Sequence, residues 1–104
     1  MRTDLVSRCA ALGDATRWQI LELLGSQSLS ASALAQQLPV SRQAIAKHLT
    51  ILTEVGLVSS RREGKELRYA ALGAELSHLG TLLEQQGQEW DRRLAAIKRI
   101  AESL

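Results

Sequence analysis

The sequence predicts a mainly α fold with a small β-hairpin, five helices and two strands in one domain spanning residues 1–104. Three observations carry this. Apolar residues recur at helical spacing from Leu5 to Val55 and again over about 74–102. Between those stretches, residues 57–71 lose that period and flank a tight Glu63-Gly64 turn. Cap residues and glycines divide the helical part into short pieces.

The first helix is marked by Leu5, Val6, Cys9 and Leu12, and Gly13 stops it. Asp14 stands where a second helix wants an acceptor or a negative charge. That helix carries Trp18, Ile20, Leu21, Leu23 and Leu24 and ends at Gly25. Ser26 to Leu29 read as a loop. Ser30 caps a third helix over Ala31–Leu38, with Leu34, Ala35 and Leu38 inward, and Pro39 cannot continue it. Ser41 caps a fourth helix running to about Val55, with Gly56 in the position just beyond its end. Leu57–Arg62 and Lys65–Ala70 are the strands of the hairpin. After Gly73 a last helix covers about 74–102.

Composition narrows the function classes. Apolar residues make up 45% and charged residues 23%, which suits an ordinary globular domain, and the absence of Phe makes the core aliphatic. No apolar run approaches a membrane span, and no signal-like segment opens the chain. A single cysteine, Cys9, allows no internal disulfide and suits a reducing cytoplasm. The net charge of +2 is unevenly spread: residues 1–40 are balanced, and residues 71–104 sum to −1. Residues 41–70 hold six basic side chains (Arg42, Lys47, Arg61, Arg62, Lys65, Arg68) against Glu54, Glu63 and Glu66, a net of +3. Local positive excess of this kind suits a phosphate-rich partner.

Two helices joined by a short turn over about 30–55 form a helix-turn-helix, in which the second helix enters the DNA major groove. On a helical wheel from Ser41, Ala44, Ile45, Ile51, Leu52 and Val55 fall on one side, with Leu49 at its margin. Arg42, Gln43, Ala46, Lys47, Thr50 and Thr53 fall on the other. Arg reads guanine and Gln reads adenine bidentately, Ala46 permits close approach, and Ser41 with the first-turn amides can hold a phosphate. His48 lies on the apolar side and reads as a partly buried structural histidine, with a backbone phosphate contact as the second reading. The hairpin, about 57–71, then becomes a wing whose Arg61, Arg62 and Lys65 reach phosphates or the minor groove. The fold is thus a winged helix-turn-helix.

The same stretches resemble the ArsR/SmtB family of bacterial winged-helix repressors: ALGDATR at 11–17, ILELL at 20–24, LAQQLPVSRQAIAKHL at 34–49, LTEVGLV at 52–58, and RREGK at 61–65 with Tyr69. The resemblance implies a homodimer on a palindromic DNA operator, acting as a repressor and released by a signal. It carries over Ser41, Arg42, Gln43 and Lys47, with Arg61, Arg62 and Lys65 of the wing, as DNA contacts. Many relatives sense metals through a Cys-x-Cys pair, where this chain has Ser30 and Ser32, or through Asp and His ligands on the last helix, where His78 stands alone. Pro39 stands where many relatives have Gly. The chain therefore resembles the branch without metal sites, and no metal or cofactor is expected. Cys9, on the apolar side of its helix, reads as a buried, inert thiol, with a redox switch as the alternative.

The last helix argues for self-association. Leu76, Leu83, Trp90 and Ile97 recur every seven residues, and Leu79, Leu94 and Ala101 fill the same stripe. Leu5, Leu76, Leu79, Leu83, Trp90, Leu94 and Ile97 form the expected dimer interface, with a core helix packed within its own domain as the alternative. Gly80 and Gly87 weaken the helix, and a break near Gln86-Gly87 is one expectation. Three other readings stand beside the favoured one. One is a metal- or thiol-responsive repressor; another is a winged helix that binds only proteins. The third, a hydrolase using Ser41, His48 and Glu54, lacks a pocket, since all three lie on one helix.

Overall fold

The computed structural model describes the backbone of residues 2–103 and the side chains of residues 5–103. It contains α1 (Arg2–Leu12), α2 (Ala15–Leu24), β1 (Leu29–Ser30), α3 (Ala31–Gln37), α4 (Arg42–Glu54), β2 (Val58–Glu63), β3 (Glu66–Ala71) and α5 (Gly73–Ser103). The mainly α class with a β-hairpin is borne out, and the hairpin sits in a three-stranded antiparallel sheet ordered β1-β3-β2.

Caps set the helix starts. Asp14 Oδ1 accepts from the Arg17 amide at 3.0 Å, Ser30 Oγ from Ala33 at 3.1 Å, and Ser41 Oγ from Ala44 at 3.1 Å. Each satisfies an amide that the helix itself leaves without a partner. Helix α3 ends one residue early. Leu38 is extended at φ −119°, ψ 145°, because the ring of the following Pro39 excludes the helical region. Gly56 takes φ +76° just past α4, the left-handed turn that a glycine makes without strain.

The core is aliphatic. Ile20, Leu34, Ile45, Leu49, Leu52 and Leu57 are fully buried, with Ala11, Leu21, Leu24 and Val58 around them. Leu49, expected at the margin of α4, is therefore central. Ile51, expected inward, is exposed, as is Trp18 on α2.

Four further expectations need correction. Leu29 is not in a loop: Leu29 and Ser30 pair with Tyr69 and Arg68 of β3, and a two-residue strand is too short to show a period-2 pattern. The hairpin is shifted by one residue. Glu63 pairs with Glu66, so the turn is Gly64-Lys65 rather than Glu63-Gly64. Only Gly64 has positive φ (+65°), which places it first of the two turn residues, as a type II′ turn requires. Helix α5 is continuous through Gly80 and Gly87, because a glycine costs about 1 kcal/mol of helix propensity without stopping a helix flanked by Leu, Gln and Glu. Cys9 is exposed rather than buried.

The first part of α5 packs on the domain, with Leu79 buried and Leu76 against the core. Leu79 is thereby withdrawn from the expected dimer interface, since its own chain leaves it no surface for a partner. From Leu83 to Ser103 every side chain except Ala96 is exposed. The 31-residue helix is about 46 Å long at 1.5 Å per residue, and it draws the molecule out to 69 × 24 × 23 Å.

The Asp14 cap has a pH signature. The hydrogen bond from the Arg17 amide, and then the Arg17 charge, hold its carboxyl below the ordinary aspartate range. A carboxyl lowered on folding stabilises above its unfolded value and loses that contribution as pH falls through the folded one. Asp14→Asn should therefore flatten the decline of stability below about pH 4, read from thermal melts across a pH series; an unchanged profile would remove Asp14 as a source of it.

Candidate nucleic-acid interface

Helix α4 is held from one side only. Ile45, Leu49 and Leu52, spaced by four and three residues, turn into the core. Arg42, Gln43, Ala46, Lys47 and Thr50 are exposed on the opposite side. The start of α4 faces the hairpin across an open groove of 710 Å³. Ser41, Arg42, Gln43 and Ala46 line one wall, Arg62, Lys65, Glu66, Leu67 and Tyr69 the other, and Ser30, Ala31 and Ser32 one end.

Strand alternation decides which wing residues share this groove. Arg62 pairs with Leu67 and Ser60 with Tyr69, and these pairs point to the α4 side. Arg61 pairs with Arg68 and Ser59 with Ala70 on the other face, where they line a separate hollow. The six expected contacts Ser41, Arg42, Gln43, Ala46, Arg62 and Lys65 come together around one groove. Lys47, Thr50 and Arg61 lie outside it. Thr50 lines a smaller hollow with Ser60 and Tyr69, and its hydroxyl donates to the Ala46 carbonyl at 3.0 Å. Ser30, Ala31, Ser32, Glu66, Leu67 and Tyr69 are groove residues not expected from the sequence as DNA contacts. A wing register placing residues 67 and 69 beside Arg62 would have found the last two.

The charges are sorted in the same way. On the outer face Arg61 lies 3.6 Å from Glu63, and Arg68 lies 3.7 Å from Glu63 and 3.3 Å from Glu66. Among the described residues Arg42, Lys47, Arg62 and Lys65 form no salt bridge, so the groove-side cations are left free. Helix α4 also has no acidic residue in its first turn and opens on Arg42 instead. A cation at the positive end of a helix is unfavourable for folding and favours an anionic ligand.

His48 is half-buried, with Nδ1 3.2 Å from a terminal nitrogen of Arg17. A guanidinium only donates, so Nδ1 accepts and the proton sits on Nε2. Ser41 Oγ accepts from the Ala44 amide and His48 accepts from Arg17, so Ser41, His48 and Glu54 form no hydrolytic constellation. Among the described residues no three His, Cys, Asp or Glu side chains group to hold a metal ion.

Residues 12–61 match the family described as a helix-turn-helix domain. The HTH-type transcriptional regulator Rv2034 of Mycobacterium tuberculosis is 36% identical over 93 residues, covering 89% of this chain and 84% of its own. The structure of an ArsR-like transcriptional regulator from Rhodococcus sp. RHA1 superposes with a TM-score of 0.92 at 61% identity, over 98% of this chain and 94% of the other. This chain belongs to the ArsR family. A more distant member of the comparison is the homodimeric winged helix-turn-helix DNA-binding domain of Mb0332 from Mycobacterium bovis, at 28% identity and a TM-score of 0.69 over 84% and 81% of the two chains. ArsR-family proteins are DNA-binding transcriptional regulators and not enzymes, and that is the role of this chain. No described helix is long and apolar enough to cross a membrane.

The unfavourable placement of Arg42 can be measured. Arg42→Glu should raise the stability of the fold by about 0.3–1 kcal/mol in urea titration, by complementing the helix dipole. A lower midpoint would mean that Arg42 supports the fold through contacts of its own.

Proposed function

We propose that this ArsR-family regulator binds an inverted-repeat DNA operator as a homodimer and represses transcription in the cytoplasm by covering the promoter. The observation that carries the reading is the open groove between α4 and the wing, whose cations Arg42, Arg62 and Lys65 have no acidic partner among the described residues. Ser41, Arg42, Gln43 and Ala46 would enter the major groove, with Lys47 and Thr50 along the same helix face. Arg62 and Lys65 would meet the flanking phosphates, and Arg61 would join only by exchanging Glu63 for a phosphate.

Dimerisation is supported by the free half of α5. Leu83, Trp90, Leu94 and Ile97 are 48–63% exposed on one stripe, and Ile100 adds to it. Burying one such side chain is worth about 1.5–3 kcal/mol, so a set of them from each chain can offset the cost of association. The half-buried Leu5 and Leu76 sit beside the domain end of that stripe. Two copies of α4 related by a two-fold axis match successive major grooves when about 34 Å apart, which requires the operator to be an inverted repeat.

Selection of duplexes from a random pool, followed by sequencing, tests DNA binding and two-fold symmetry together. An inverted repeat is expected; the absence of salt-dependent duplex binding would favour a protein-binding module instead. Lys47→Ala and Arg62→Ala should each weaken binding across sequences and reduce the salt slope by about one unit, read by gel shift over a salt series. Leu83→Glu combined with Trp90→Ala should give a monomer that binds the operator poorly. Sedimentation of that variant as an intact dimer would move the interface away from α5.

A further inference from the structure

Two arginines tie α4 to its neighbours: Arg8 joins it to α1 and α5, and Arg17, on α2, joins it to α1. Arg8, on α1, donates from Nε to the carbonyl of Val55, the residue that closes α4, at 2.8 Å. One terminal nitrogen of the same guanidinium donates to Glu75 Oε2 at 3.0 Å, in the first turn of α5. The other lies 3.0 Å from where a β-carbon on residue 56 would stand, so the glycine there leaves room for the arginine. At His48, seven residues before Val55, Arg17 of α2 repeats the device. It donates to the Ala11 carbonyl in the last turn of α1 at 2.6 Å and to His48 Nδ1 of α4 at 3.2 Å.

His48 and Val55 are two helical turns apart on the same side of α4, about 10.5 Å along its axis. A helix fastened at one point can pivot there. Fastened at two points, it cannot change its tilt without breaking one of them. The Arg8 bond is charge-assisted, because its donor is an ionised guanidinium, and its acceptor lies at the negative end of the α4 dipole. It is also directional, because the planar fork serves Val55 and Glu75 in fixed directions that the compact, rotatable ammonium of a lysine does not reproduce. The Arg8 side chain is only 18% exposed, so water competes weakly for these contacts.

We propose that Arg8, with Arg17 as the second anchor, is the positioning residue that fixes the angle of α4 against the α1/α5 layer and so the half-site spacing a dimer accepts. The proposal rests on the homodimeric operator reading above. It does not require Arg8 to touch DNA.

The test compares wild type, Arg8→Lys and Glu75→Gln on the operator selected by the wild type, and on versions with the spacer one or two base pairs longer or shorter. Glu75 is 44% exposed, so its variant keeps the proposal testable should Arg8→Lys fail to fold. Wild type should prefer one spacing sharply. The variants should lose roughly tenfold on that spacing, keep their affinity for the altered spacings within about twofold, and remain dimers with the wild-type salt slope. A spacing profile parallel to wild type, with affinity either unchanged or lowered equally everywhere, would overturn the positioning role while leaving the operator reading intact. A wild type that binds no duplex, or that shows no spacing preference, would remove the operator reading and this inference with it.

Discussion

Burial of Ile45, Leu49 and Leu52 along a single side of α4 is the constraint on which the rest of the molecule depends. These three side chains are fully buried, and with Leu34, Ile20 and Leu57 they fix the helix from below. Nothing then needs to pack on the other side, and Arg42, Gln43, Ala46 and Lys47 stay in water. Exposure of that side is the condition for reading a DNA groove. The aliphatic core achieves it with no buried polar or charged residue among the described side chains.

The wing adds electrostatic selection to this shape. Its two faces differ in charge pairing although both carry arginine. On the outer face Arg61 and Arg68 stand directly opposite each other, a repulsive arrangement that Glu63 and Glu66 relieve. At the groove, Arg62 and Lys65 form no salt bridge among the described residues, although Glu66 also lines its wall. Together with Arg42 at the positive end of α4, they keep an anionic ligand favoured where the two elements meet. Such exposed ion pairs contribute little to stability, so their main consequence is to direct the free positive charge to one side of the hairpin.

The distal half of α5 has the opposite character. It stands away from the domain with Trp90, Leu94, Ile97 and Ile100 in water, an arrangement that an isolated chain gains nothing from. Exposed apolar surface of this kind marks an interaction face. Helix α1 also has Val6 and Cys9 outward, while Arg8 on the same helix points inward to α4. One short helix thus combines an outward apolar side with a tie, through Arg8, to the end of α4.

Local chemistry in the sequence determined a large part of this protein. The caps at Asp14, Ser30 and Ser41, the stop at Pro39, the glycine beyond α4 and the outward set on α4 all follow from near neighbours, because capping and helical periodicity are short-range effects. Tertiary structure decided the rest. Strand β1 exists only because β3 lies beside it, and although alternation along β2 separates Arg61 from Arg62, only packing decides that the Arg62 face is the one turned to α4. Cys9 and Leu79 show the same limit from two directions. Both lie on helical stripes that read as apolar, yet one is exposed and the other is enclosed, because burial depends on which element arrives from far along the chain. The Arg8 tie spans 47 residues to Val55 and 67 to Glu75, and no pattern within a single helix records a contact made over such a distance.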